Sequence, residues 1–151
     1  MISQTSEYAL RAIVYLADHP SQAHTAEVIA GGTKVPVGYL AKVLQMLSRA
    51  RLVTSQRGLR GGFALARDPR QLSVLEVITA IEPLERIRTC PLGINEHGSA
   101  LCPLHRQMDD AIAAIQARFQ ALTIHALISD SRASHPLCSV PPTPVAAPVG
   151  A

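Results

Sequence analysis

Residues 36–66 read PVGYLAKVLQMLSRARLVTSQRGLRGGFALA, and this stretch decides the fold. Pro36 can open a helix, because its fixed φ suits a helical start and its missing N–H costs nothing there. Leu40, Val43, Leu44 and Leu47 then recur at the spacing of one buried helical face, while Tyr39 and Lys42 point elsewhere. Two short strand-like runs, 52–55 and 63–66, flank Gln56-Arg57-Gly58-Leu59-Arg60-Gly61-Gly62. This is a hairpin whose tip is rich in glycine and carries two guanidiniums able to enter a groove or clamp phosphates. A helix followed by a basic hairpin is the second half of a winged helix-turn-helix.

The first half lies upstream. Between residues 6 and 16, Ala9, Leu10, Ile13, Val14 and Leu16 follow a 3.6-residue period, with Glu7 in the first turn and His19-Pro20 near the end. Thr25 is suited to cap a second helix over 26–30, which Gly31-Gly32 should terminate. Two helices joined by a short glycine-containing turn complete the helix-turn-helix. Downstream, Ser73 and Glu76 have the spacing of a capping box for a helix from 74 to about 81, ending before Pro83.

Residues 82–101 read as irregular, broken by Pro83, Pro91, Gly93, Asn95 and Gly98. Beyond Pro103, apolar residues recur at Met108, Ile112, Ile115, Phe119 and Leu122, the seam of a helix that pairs with another helix. A continuous helix over 104–128 and a homodimer are the expectation. From residue 129 the composition turns to Ser, Pro and Ala, as in a disordered tail. The expected division is a winged-helix DNA-binding domain over 1–82, a sensor loop over 83–103, a dimerisation helix over 104–128 and a tail over 129–151. The fold class is mainly α with a small β-hairpin.

Composition narrows the function. The chain has 151 residues, 48% of them hydrophobic, but no Trp, two Phe and three Tyr. Aliphatic side chains must build the core, and an aromatic platform for single-stranded nucleic acid is not expected. No apolar run reaches the roughly 18 residues of a membrane span, and the N-terminus does not read as a secretory signal, so a cytoplasmic protein without a membrane partner is expected. No Ser-His-Asp set, phosphate loop or metal-hydrolase signature accompanies the histidines, so no enzyme is expected. The net charge of +3 is unevenly spread. From Lys34 to Arg70 eight basic residues face the single acid Asp68, a balance of +7, and the remaining six basic and ten acidic residues leave −4 elsewhere. A basic segment within a folded domain is what binding to phosphate backbones requires.

In a helix-turn-helix the second helix presents its N-terminal residues to base edges in the major groove of duplex DNA. Val37, Gly38, Tyr39, Ala41 and Lys42 occupy that end. Tyr39 suits a phosphate or a base edge, Lys42 a phosphate or a guanine acceptor, and Gln45, a turn on, an adenine. Arg57, Gly58, Arg60 and Gly61 form the wing tip. Each such residue is by itself ordinary surface, and the combination carries the reading. A winged helix that binds an acidic protein partner is the rival from another class.

Cys90, Cys102 and His105 form a second constellation, with His97 between the cysteines. Thiolates suit zinc and iron-sulfur clusters, and imidazole suits either; the same residues also serve as ordinary packing. The spacing from Cys90 to Cys102 is too long for a paired zinc knuckle. Cys138 falls in the expected tail.

Three motifs occur in order: Ser6-Glu7-Tyr8-Ala9-Leu10-Arg11, Arg57-Gly58-Leu59-Arg60-Gly61-Gly62-Phe63 and Cys102-Pro103-Leu104-His105. Together they resemble the IscR and NsrR family of dimeric bacterial winged-helix regulators, over residues 1 to about 128. The resemblance implies a transcription regulator reading an imperfect palindrome of double-stranded DNA, with an iron-sulfur cluster answering to redox state or nitric oxide. Cluster-binding members carry three cysteines in this loop, and only the outer two have matches, Cys90 and Cys102. The middle one is replaced by Asn95-Glu96-His97, which makes His97 a candidate substitute. His105 matches the fourth ligand of IscR-like members, and Glu7 matches an acidic position used across the dimer in other relatives, although it also suits the dipole of the first helix. Two thiolates completed by nitrogen or oxygen favour a 2Fe-2S centre. A cluster-free regulator that senses thiol oxidation or a metabolite is the alternative that the missing cysteine supports.

Overall fold

The computed structural model describes residues 2–58, 61–91 and 101–130. Arg60, His97, Cys138 and the expected tail from 131 onward lie outside the described residues. Among the described residues, six helices and one hairpin follow in order: α1 Gln4–Asp18, α2 Ala26–Thr33, α3 Val37–Arg49, β1 Val53–Gln56, β2 Gly62–Leu65, α4 Val74–Ile81, α5 Pro103–Ala121 and α6 Ile124–Ser129.

Helix α1 starts two residues earlier than its periodicity suggests, because the Ser3 hydroxyl accepts the Ser6 N–H and caps it. Helix α2 does not stop at Gly31-Gly32 but runs on to Thr33, ending where Lys34 takes a left-handed conformation with φ 57°. The expectation of a glycine stop fails for a packing reason. A Cβ on Gly32 would run into the Tyr15 ring, so this glycine is there to let α1 and α2 approach, not to end the helix. Thr33, fully buried, donates its hydroxyl to the Ile29 carbonyl at 2.7 Å. Helix α3 buries Leu40, Val43, Leu44 and Leu47, the face that the sequence marks.

β1 and β2 pair antiparallel, Val53 opposite Leu65 and Gln56 opposite Gly62. The strand ends differ by one residue from those expected, but Ala66 N–H still donates to Leu52 C=O at 2.9 Å, so the register continues past both ends. Ser73 and Glu76 form the capping box at α4, the Ser73 N–H donating to the carboxylate at 2.9 Å and the Glu76 N–H to the hydroxyl at 3.2 Å.

The expected single helix over 104–128 is two. The break at Leu122-Thr123 arises because this segment pairs with residues 72–74: Val74 N–H donates to Leu122 C=O and Ile124 N–H to Leu72 C=O, both at 2.9 Å. Thr123 then caps α6. Ile124, wholly buried, enters the core formed by Ala9, Ile13, Leu16, Ile29, Leu40, Leu44, Leu47, Leu72, Val77 and Ile78. The core is aliphatic, as the scarcity of aromatic residues requires, and α5 lies outside it with no fully buried residue.

Candidate nucleic-acid interface and sensor site

The start of α3 and the hairpin place the predicted DNA-reading side chains on the surface. Val37, Gly38, Tyr39, Lys42 and Gln45 are all exposed, Tyr39 at 64%, whereas Ala41 is half-buried. Tyr39 at this exposure gains little from folding, so its position is unexplained by the core. A Cβ on Gly38 would meet nothing within 4 Å, so no internal packing demands a glycine there.

In the wing, Arg57 and Gly58 are exposed, and Gly58 has φ +109°, a conformation that glycine adopts readily. Gly61 is needed by the turn, since a Cβ there would stand 2.5 Å from Gln56 O and 2.8 Å from Gly58 O. The wing is docked by a third segment: His24 and Phe63 exchange backbone hydrogen bonds of 2.9 and 2.8 Å. His24 is buried, its Nε2 is 3.1 Å from the His19 carbonyl, and its ring meets Tyr15 and His19 edge-on. The sequence gives no local signal for this histidine, because its backbone partner, Phe63, is distant along the chain.

Of the basic block, Lys34, Lys42, Arg49, Arg51, Arg57, Arg67 and Arg70 are all exposed. Arg67 is engaged by Glu76 at 3.5 Å, and the other six form no salt bridge among the described residues. Among the described residues, the excess positive charge is therefore displayed rather than neutralised by ion pairs.

The second constellation is brought together. Cys102 is the N-cap residue of α5, with Pro103 at the first helical position, and His105 follows in the first turn. The Cys102 Sγ lies 3.2 Å and the Cys90 Sγ 3.8 Å from the same atom, His105 Nδ1. All three side chains are half-buried and both thiols are free. Two thiols and an imidazole are the right donors in kind for zinc or an iron-sulfur cluster, but a tetrahedral ion or a cluster takes four. Among the described residues no group of three or more His, Cys, Asp or Glu is arranged to hold a metal ion. Glu7 is not brought to the thiols within the chain. It pairs with Arg11 at 2.6 Å, and Arg11 in turn donates to the Thr33 carbonyl at 3.1 Å.

A strap leads from α4 to Cys90 and is fastened along α5. Gln116 Nε2 donates to Leu84 C=O at 2.5 Å. Arg86 reaches Asp109 through Nε at 2.6 Å and Nη2 at 2.5 Å, and Asp109 also accepts the Ile87 N–H at 2.9 Å. The Asp109 carboxyl is held below the usual carboxylate range, chiefly by the Arg86 hydrogen bonds, and the Arg86 guanidinium is raised by the same contact. The expected helix seam divides. Met108 and Ile115 are 48% and 47% exposed, Ile112 is half-buried, and Phe119 and Leu122 pack against the chain's own core. Leu104, 66% exposed, extends the outward row.

Residues 2–130 match the model of the family described as Rrf2, iron-dependent transcriptional regulator. The chain belongs to the Rrf2 family. Among Rrf2-related sequences, a protein of Aquifex aeolicus (strain VF5) described as an HTH-type transcriptional regulator is 33% identical over 132 residues, covering 85% of this chain and 92% of the relative. An rrf2-like HTH-type regulator of Rhodobacter capsulatus is 38% identical over 86 residues, 54% of this chain and 57% of that one. Among solved structures, T. potens IscR superposes with a TM-score of 0.72 at 23% identity, covering 86% of this chain and 87% of its own. CymR, titled the global cysteine regulator of B. subtilis, superposes at 0.70 and 21% identity, over 84% and 95%. Both likenesses show the winged-helix fold. The chain is thus a transcription regulator of the Rrf2 family and not an enzyme. Among the described residues no helix is long and apolar enough to cross a membrane.

Proposed function

We propose that this Rrf2 protein is a cytoplasmic homodimer that reads an imperfect palindrome of double-stranded DNA, with its affinity set by a sensor at Cys90, Cys102 and His105. The observation that carries the DNA reading is the exposed row Val37, Tyr39, Lys42 and Gln45 on α3 together with exposed Arg57, in a basic block of which only Arg67 forms a salt bridge among the described residues. The outward row Leu104, Met108 and Ile115 supports a second copy as the partner of α5, since a monomer gains nothing by exposing it. Two such units related by a two-fold axis read two half-sites.

For the sensor we favour a 2Fe-2S centre, held by Cys90, Cys102 and His105 and completed by His97 or by Glu7 of the other copy. When bound, such a cluster supplies a one-electron couple tuned by its ligands, sensitive to redox state or nitric oxide. The chain's own residues supply the coupling, because the strap joins the sensor to α4 and hence to the DNA-binding body. A state-dependent change in affinity requires that the sensor favour one arrangement of that body over another. A cluster-free reading is favoured by one observation, the direct approach of both sulfurs to His105 Nδ1, which leaves three donors rather than four among the described residues. Thiol oxidation is then the signal.

Selection of binding sites from a random duplex pool tests the DNA reading; an enriched two-fold-symmetric motif is expected, and no enrichment would overturn it. Anaerobic purification followed by iron and acid-labile sulfide counts tests the cluster. Near-equal iron and sulfide, both lost in Cys90→Ala/Cys102→Ala with folding intact, are expected. Iron-free protein after reconstitution would leave the thiol reading.

A further inference from the structure

The strap between α4 and Cys90 runs antiparallel to α5, and its contacts occur in strict order. Leu84 is tied to Gln116, Arg86 and Ile87 to Asp109, and Cys90 meets His105. Along α5 the partners therefore descend from 116 to 109 to 105 as the strap goes from 84 to 90. Asp109 stands four residues, one helical turn, from His105, so both lie on the same face of α5. The Asp109 side chain is 13% exposed and takes three hydrogen bonds, two from one guanidinium and one from the strap's own backbone. That bidentate geometry fixes orientation as well as distance.

Beyond Leu84, which packs against the core where the strap begins, no apolar anchor among the described residues does the same work. Arg86, Arg88, Thr89 and Pro91 are exposed, and Ile87 and Cys90 are only half-buried. Without further side chains driven into the core, the part of the strap from Arg86 to Cys90 is placed by its polar fastenings, and its local opening is governed by them. His105 and Cys102 need no such help, since both are held by α5 itself.

We infer that Arg86 and Asp109 are a positioning pair that delivers Cys90 to His105, so the sensor is built from a fixed half, Cys102 with His105 on α5, and a latched half, Cys90 on the strap. The functional consequence rests on the sensor reading above; the positioning itself does not. Opening the latch withdraws one thiol while leaving the other in place, and it frees the segment that continues directly from α4.

The test uses the full-length chain, metal-free and reduced, with the alkylation rate of each cysteine followed by mass spectrometry. In Asp109→Asn and in Arg86→Gln, Cys90 is expected to react about fivefold to tenfold faster, with Cys102 unchanged within about twofold, the size of change that loss of charge-assisted hydrogen bonds brings to a local opening. Arg86→Lys, which keeps the charge but loses the fork, should fall between. Arg67→Gln, which breaks an Arg–carboxylate contact away from the strap, should leave Cys90 unchanged. Circular dichroism melts identify any variant that fails to fold, and the Arg86 variants then carry the test. Equal acceleration of Cys90 and Cys102 would make the pair a general stabiliser, and an unchanged Cys90 rate would mean the strap is held by other contacts; either overturns the inference. Failure of the sensor reading is separate: the latch would still protect Cys90, but wild-type protein would bind its selected duplex identically whether oxidised, reduced or loaded with iron.

Discussion

Gly62 passes over the backbone of His24 so closely that a Cβ on it would stand 2.5 Å from the His24 carbonyl oxygen, in a backbone conformation of φ +149° that side chains rarely adopt. The wing is therefore not a free hairpin. It is seated on the turn before α2 by the His24 and Phe63 exchange. Gly62→Ala is expected to lower stability by about 2–3 kcal/mol through strain and loss of that seating. A thermal melt checks this, and duplex affinity should fall even at temperatures where the variant stays folded.

Arg57 and Arg67 give opposite expectations in a salt titration. Arg57 is exposed and forms no salt bridge among the described residues, whereas Arg67 is 3.5 Å from Glu76. Arg57→Ala should reduce the slope of log affinity against log salt by about one, as for a lost phosphate contact. Arg67→Ala should leave the slope unchanged. Fluorescence anisotropy on the selected duplex at several salt concentrations distinguishes them.

Glu76 links the α4 cap to pH. The Ser73 backbone N–H is the largest cause holding its carboxyl below the ordinary value of 4.5, aided by the Ser73 hydroxyl and by Arg67. A carboxyl with a depressed folded-state pKa stabilises above its unfolded value, and the contribution is lost as pH falls through the folded one. Stability is thus expected to hold at neutral pH and to fall in the acid range below about 4.5, with Glu76→Gln flattening that limb. Melts from neutral to acid pH compare the two. Ser73→Ala should cost about 1 kcal/mol at neutral pH, the usual worth of an N-cap.

Ile124 is wholly buried although it follows the long outer helix. Ile124→Ala should cost about 2–5 kcal/mol, as for a large aliphatic side chain removed from a close-packed core. Exposed Ile115, on the preceding helix, should cost the monomer little when changed to Ala and should instead weaken any association of two copies. Urea unfolding and light scattering separate these effects.

What the sequence disclosed and what it concealed divide along physical lines. The Ser73 and Glu76 cap was legible because both partners are local and their spacing admits few other roles. The buried face of α3 was legible because four apolar residues keep a helical period that the core then uses. Gly31-Gly32 misled, because the reason for Gly32 is the Tyr15 ring of another helix, a contact that no local pattern reports. The break before Ile124 was hidden likewise, since Leu122 and Thr123 leave the helix to pair with residues some 50 positions earlier. In the sensor region the donor types were legible and their convergence was not. Arg86, Asp109 and Gln116 have ordinary surface identities, and only the antiparallel course of the strap along α5 gives them a common task.

The pairing of residues 122–124 with 72–74 also bears on heredity and engineering. It returns the end of the described chain to the core that α1 opens, so the regulator is a closed loop of dependence rather than a reading head with a sensing handle appended. A hybrid made by joining the head of one relative to the handle of another must therefore carry both sides of this ladder from the same parent. Hybrids that split it should be insoluble irrespective of how well their operators and signals are matched.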